Sequence, residues 1–146
     1  AYLKAGKVDL GIIEIEKLLG DKRVQVDPLL QELFEILVAR SSYQEIIDVM
    51  KKANAVDPKN IILREYLIFA YLKTGKENRA INEMEAVLKE TPDDMDLWLQ
   101  LARLSEKKSQ IQKSIRAYKR VLELSPEHPE ASEAYLRLRL EGVGGD

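Results

Sequence analysis

Cysteine is absent and histidine occurs once in the 146 residues, which excludes disulfides, thiolate catalysis, Cys/His zinc sites and any pair of imidazole metal ligands. Neither sign of charge predominates. With 23 Lys and Arg against 25 Asp and Glu, binding to nucleic acid or an anionic membrane would need a local patch rather than a global field. A long apolar run is missing too: the most apolar stretch, 61–72, is broken by Arg64 and Glu65, whereas a bilayer span needs about 20 predominantly apolar residues. The glycines stand singly at turns or cluster at the end, so there is no phosphate-cradling loop. What is present is 45% hydrophobic and 33% charged, the composition of one folded domain. The chain begins at Ala1 with no signal-like start and is expected to be a segment of a longer protein, its compartment left open.

The dominant feature is a period of 34. Pro58, Pro92 and Pro126 are 34 residues apart, as are Met50, Met84 and Tyr118, and Ile47, Ile81 and Ile115. Within each unit apolar residues recur at steps of three and four, as in Leu30, Leu33, Phe34 and Leu37, then Ile46, Ile47, Val49, Met50 and Ala53, which predicts two amphipathic helices per unit and no strands. Ser41-Ser42, Thr74-Gly75 and Ser109-Gln110 mark the breaks between them. Each proline closes the second helix, because it has no N–H and disfavours helix in the residue before it. The start repeats the pattern in part: residues 1–7 match 70–76 at six of seven places. Asp27-Pro28 is expected to restart helix as N-cap and first helical residue.

Trp98, Leu101, Ala102, Ser114, Tyr118 and Pro126 resemble the tetratricopeptide repeat (TPR) signature at its internal spacings. Leu67, Tyr71, Gly75, Ala80, Met84 and Pro92 follow it in the preceding unit, and Leu33, Leu37, Tyr43, Met50, Ala53 and Pro58 in the one before. The resemblance implies an all-α fold, an α-solenoid winding as a right-handed superhelix of antiparallel helix pairs, whose units bury their apolar faces only by stacking. The expected divisions are a partial repeat over 1–26, full repeats over 27–60, 61–94 and 95–128, a capping helix over 129–141 and a frayed tail over 142–146, all in one domain.

In that family first helices line a concave groove suited to an extended or helical peptide. Carried onto this chain, the groove places point to Tyr66, Phe69, Leu72 and Leu99 as apolar anchors. Glu35, Lys73, Arg103 and Arg137 would orient the partner. Trp98 falls at an intra-repeat packing place and is expected in the core. The subclass that grips a C-terminal carboxylate is not matched, because its places hold Gln31, Glu35, Tyr66, Asp96 and Gln100, two of them acidic. Lys107, Lys108, Lys113, Arg116, Lys119 and Arg120 form the densest basic stretch, and Lys113, Arg116 and Arg120 share a helix face interleaved with Glu106 and Glu123. It is expected to be a solvated face.

Nothing assembles a catalytic centre. His128 sits in the turn Ser125-Pro126-Glu127-His128-Pro129, and Asp93-Asp94 precedes a helix as a capping pair rather than as paired catalytic carboxylates. The expected function is a non-catalytic scaffold for a protein or peptide partner, with no cofactor, metal or small-molecule substrate, and with nucleic acid disfavoured. The alternative is self-assembly through exposed terminal helices carrying Ile12 and Ile15 or Leu136 and Leu140.

Overall fold

The structure, a computed structural model, describes residues 2–4, 6–21, 23 and 25–145, of 142–145 the backbone only. Ala1, Ala5 and Asp146, used in the sequence reading, lie outside the described residues. Eight helices and no strands occur among those described: α1 (Val8–Leu18), α2 (Asp27–Ala39), α3 (Tyr43–Val56), α4 (Ile61–Lys73), α5 (Glu77–Glu90), α6 (Met95–Lys107), α7 (Ile111–Leu124) and α8 (Pro129–Gly145). The fold is all-α, a solenoid of helix pairs. The chain divides into two compact units, Ala1–Glu83 and Met84–Asp146.

In the first unit α1 packs on α2 and α3, α2 on α3, and α3 on α4. Its interior is made by the periodic apolar positions: Leu30, Leu33 and Leu37 of α2, Ile46, Ile47 and Met50 of α3, and Leu67 of α4 are essentially inaccessible. In the second unit α6 packs on α7 and α7 on α8. Ala102 is fully buried, and the equally buried Ser114 donates its hydroxyl to the Ala102 carbonyl at 2.8 Å. Small side chains here let α6 and α7 approach closely, and the hydrogen bond satisfies the polar group that the approach buries.

At α4 and α6 the helix start is set by a side-chain acceptor. Asn60 Oδ1 accepts from the Ile62 and Leu63 amides at the head of α4, and Asp94 Oδ1 accepts from Leu97 N at the head of α6. At α2 the expected assignment is corrected by one place. Val26 is the N-cap, without a side-chain bond, and Asp27 is the first helical residue. The Asp27 carboxylate instead accepts from Asn60 Nδ2 at 3.4 Å, which joins the heads of two successive repeats. At the other end α8 runs on to Gly145, past Gly142 where fraying is expected from sequence.

Four turns are closed identically, three of them at the ends of α2, α4 and α6 and one just ahead of α1. Lys7 N donates to Tyr2 O and Gly6 N to Leu3 O; the same pair of bonds recurs as Ser42 to Leu37 with Ser41 to Val38, Lys76 to Tyr71 with Gly75 to Leu72, and Gln110 to Ser105 with Ser109 to Glu106. The pivot residue has positive φ every time: +76° at Gly6, +55° at Ser41, +73° at Gly75 and +60° at Ser109. Glycine takes this conformation freely, whereas a Cβ makes it unfavourable by roughly 1–2 kcal/mol. Ser41→Gly and Ser109→Gly are therefore each expected to raise the urea midpoint, worth up to about 1 kcal/mol. Gly75→Ala should lower stability by about 1 kcal/mol, an effect of backbone alone because nothing lies within 4 Å of the added Cβ. Equal midpoints for all three variants would contradict this account of the stops.

Candidate interaction surfaces

α4 is apolar on two sides. Leu63, Leu67, Ala70 and Tyr71 face the interior, while Ile62, Tyr66, Phe69 and Lys73 recur at steps of three and four along another stripe. On that stripe Tyr66 stacks on Phe34 of α2, ring centroids 4.1 Å apart and planes 17° from parallel. Phe69 meets Phe34 edge-on at 5.5 Å and Tyr43 of α3 at 6.0 Å. The Lys73 ammonium lies 5.6 Å from the Phe69 ring centre, in reach of its negative face. The rings are half-buried, whereas Ile62 and Leu72 are 54% and 40% exposed. Burial, followed by the nearby charges of Glu35, Asp27 and Glu65, pushes the Tyr66 hydroxyl up from its usual range, so it remains a protonated donor. Glu35 is exposed at the margin and accepts from Gln31 Nε2 at 3.3 Å.

Phe34 and Tyr43 belong to this surface, although in the sequence they stand only at a periodic apolar place and a signature place. The signal that could have found them is the single-helix spacing of Tyr66 and Phe69. Two rings on one stripe need partners from adjoining helices, and Phe34 and Tyr43 are the aromatic residues of the preceding pair.

The second unit departs from expectation in three residues. Leu99 is buried, 9% exposed, and is an interior residue rather than an open anchor. Arg103 binds both oxygens of Glu130, Nε to Oε2 at 2.6 Å, and this guanidinium holds the Glu130 carboxyl below its usual range. Arg137 donates to Glu106 at 3.1–3.3 Å and to Glu133 at 3.3 Å. Both arginines, expected to orient a partner, are thus already neutralised by carboxylates of α6 and α8, because successive first helices present opposite charges at facing places. The Tyr118 hydroxyl donates to Glu106 at 3.2 Å. Its burial first, then the charge and hydrogen bond of Glu106, push its pKa up to about 12. These groups line a charge-balanced depression of about 390 Å³.

Elsewhere in the second unit the basic stretch is divided. Glu106 belongs to the Tyr118–Arg137 network, so it does not interleave with Arg116 and Arg120 as expected. Lys113 pairs with Glu85 at 2.7 Å, and Arg120 pairs with Asp93 and Glu123, each at 2.9 Å. Trp98, expected in the core, is half-buried. Its indole N–H donates to the Pro92 carbonyl at 2.8 Å. His128 caps α8, its Nδ1 accepting from Ala131 N at 3.2 Å. Of the expected outward-facing terminal residues, Leu136 and Leu140 are 63% and 72% exposed, but Ile15 is buried and Ile12 half-buried; Leu10 and Ile13 face outward on α1 instead. Among the described residues no three His, Asp or Glu side chains gather as a metal site, and no helix is long and apolar enough to cross a membrane.

Repeated helix pairs, identical stops and prolines at a fixed period point to one family, and a tetratricopeptide repeat family model matches residues 37–104, with a second matching 96–128. The chain belongs to the tetratricopeptide repeat family. TPR repeats are in general non-catalytic interaction modules, and the chain carries that scaffold architecture. No curated protein matches the sequence. Solved structures share its fold. MamA residues 41 to the end from Desulfovibrio magneticus RS-1 is 19% identical, covering 97% of this chain and 80% of that one, with TM-score 0.64. The first TPR of Spaghetti (RPAP3), solved with the HSP90 peptide SRMEEVD, is 21% identical over 79% of this chain and 91% of its own, TM-score 0.60. The first TPR domain of human RPAP3 gives 21% identity, 80% and 91% coverage and TM-score 0.57. At these identities the likeness is one of fold.

Proposed function

We propose that the chain is a non-catalytic scaffold that takes a peptide or helix of a partner protein on the first-helix face of its repeats, anchored at the α4 stripe. The observation that supports this is the exposure of Ile62 and Leu72 beside the half-buried rings of Tyr66 and Phe69. A helix apolar on both sides leaves one side available for another polypeptide. Lys73 and Glu35 flank the rings with opposite charges and would set the direction of the bound segment. Leu99 drops out of the anchor set through burial, and Arg103 and Arg137 out of the orienting set through their carboxylate partners. The RPAP3 domain binds an HSP90 peptide. Peptide binding to this chain would use different contacts, since Glu35 and Asp96 stand where a carboxylate clamp needs donors or cations.

The test uses peptides selected from a displayed random library against the folded chain. Ile62→Glu with Leu72→Glu, both at exposed places, should leave the helical circular dichroism unchanged and weaken the selected peptides at least ten-fold, about 1.4 kcal/mol. Unchanged affinity would remove the α4 stripe from the function.

A further inference from the structure

The second unit has a cleft of about 480 Å³ between the end of α5, the start of α6 and the outer side of α7, within the roughly 300–1,000 Å³ of typical ligand sites. Trp98 forms one wall, and Leu88, Leu101 and Ala117 supply an apolar floor. The rim is cationic. Of the five Lys and Arg residues that line it, Lys113 and Arg120 are engaged with Glu85, Glu123 and Asp93. Lys89, Arg116 and Lys119 line the same cleft with no ion-pair partner among the described residues. The chain as a whole is slightly acidic, with formal charge −2, so this concentration of positive charge is local. Cations held at helical neighbour spacing repel one another, and an anion set among them relieves that repulsion.

We propose that this cleft is a second docking site, taking an acidic peptide segment that places one apolar or aromatic side chain against Trp98 and its carboxylates against Lys89, Arg116 and Lys119. An apolar floor beneath unpaired cations calls for a ligand with both characters, which a small inorganic anion lacks. A nucleic-acid backbone fits less well, because it carries a charge at every nucleotide, whereas a peptide can set its carboxylates against Lys89, Arg116 and Lys119 and keep them off Glu85 and Glu123. The indole N–H is already satisfied by Pro92, so Trp98 contributes its ring surface rather than a hydrogen bond.

Trp98 is the only tryptophan, so its fluorescence reports this site alone. The whole chain is titrated with a short tryptophan-free peptide rich in Asp and Glu around one Phe, with the same peptide carrying Lys for every acid, and with oligothymidylate. The acidic peptide should shift or quench the emission saturably, more weakly as salt rises. Arg116→Glu with Lys119→Glu should abolish the change, and Arg116→Gln with Lys119→Gln should weaken it at least ten-fold, all with unaltered helical circular dichroism. Ile62→Glu with Leu72→Glu should leave it intact, which separates this site from the α4 stripe. No change with the acidic peptide, an equal change in the charge-reversed variant, or tighter binding of oligothymidylate would overturn the proposal.

Discussion

Phe34→Ala should lower the stability of the first unit by about 2–3 kcal/mol and also depress peptide affinity at the α4 stripe. Truncating a fully buried phenylalanine costs about 3–5 kcal/mol, and a half-buried ring loses proportionately less. Phe34 makes two aromatic contacts, stacked on Tyr66 at 4.1 Å and edge-on to Phe69 at 5.5 Å, each worth roughly 0.5–1.5 kcal/mol beyond area burial. Its removal leaves Tyr66 and Phe69 free to leave the orientation that the scaffold presents. Urea unfolding gives the first quantity and titration with library-selected peptides the second. Phe34→Leu separates them: the filled volume should restore more stability than affinity, because the stacking plane is still missing. A Phe34→Ala variant as stable as the parent and binding as tightly would show that the cluster neither supports the unit nor presents a surface.

Alkaline destabilisation traceable to Tyr118 is the second large effect. In an unfolded chain tyrosine loses its proton near pH 10, whereas the folded Tyr118 hydroxyl, buried and facing Glu106, is pushed up to about 12. Between those values unfolding releases a proton that the folded state retains, so the equilibrium moves toward the unfolded chain as pH rises. The associated stability is complete below pH 10 and is lost as pH climbs through 12, about 2 kcal/mol in all. Burial pushes the Tyr66 and Tyr71 hydroxyls in the same direction, so the informative quantity is the difference between parent and Tyr118→Phe. That variant should be less stable by about 1 kcal/mol at neutral pH, where it lacks the bond to Glu106, and should draw level with the parent or pass it by pH 12. Parallel stability curves from pH 9 to 12 would contradict the coupling.

The helices were legible in the sequence because their information is local and repeated. Leu30, Leu33 and Leu37 declare one buried stripe by spacing alone, and Ser41 or Gly75 marks the stop by what it permits of the backbone. The surface was legible only in part. Tyr66, Phe69, Leu72 and Lys73 could be placed on one stripe of α4, since a single helix fixes their relation. The fates of Leu99, Arg103 and Arg137 depend on neighbours from other helices. Spacing says which way Arg103 points, yet not that Glu130 will meet it with both oxygens. Phe34 illustrates the same limit, since periodicity marks it as an apolar position without naming the ring that will lie against it. Trp98 sat at a packing place and still became a wall, because Pro92 draws its indole edge toward the surface.

Each of the four chain reversals is specified within six consecutive residues, from the carbonyl that accepts to the amide that closes the loop. Nothing distant is consulted. A block copied or deleted by recombination therefore carries its own bend with it, and a gene could lengthen such an array by duplication without inventing new architecture at the joints.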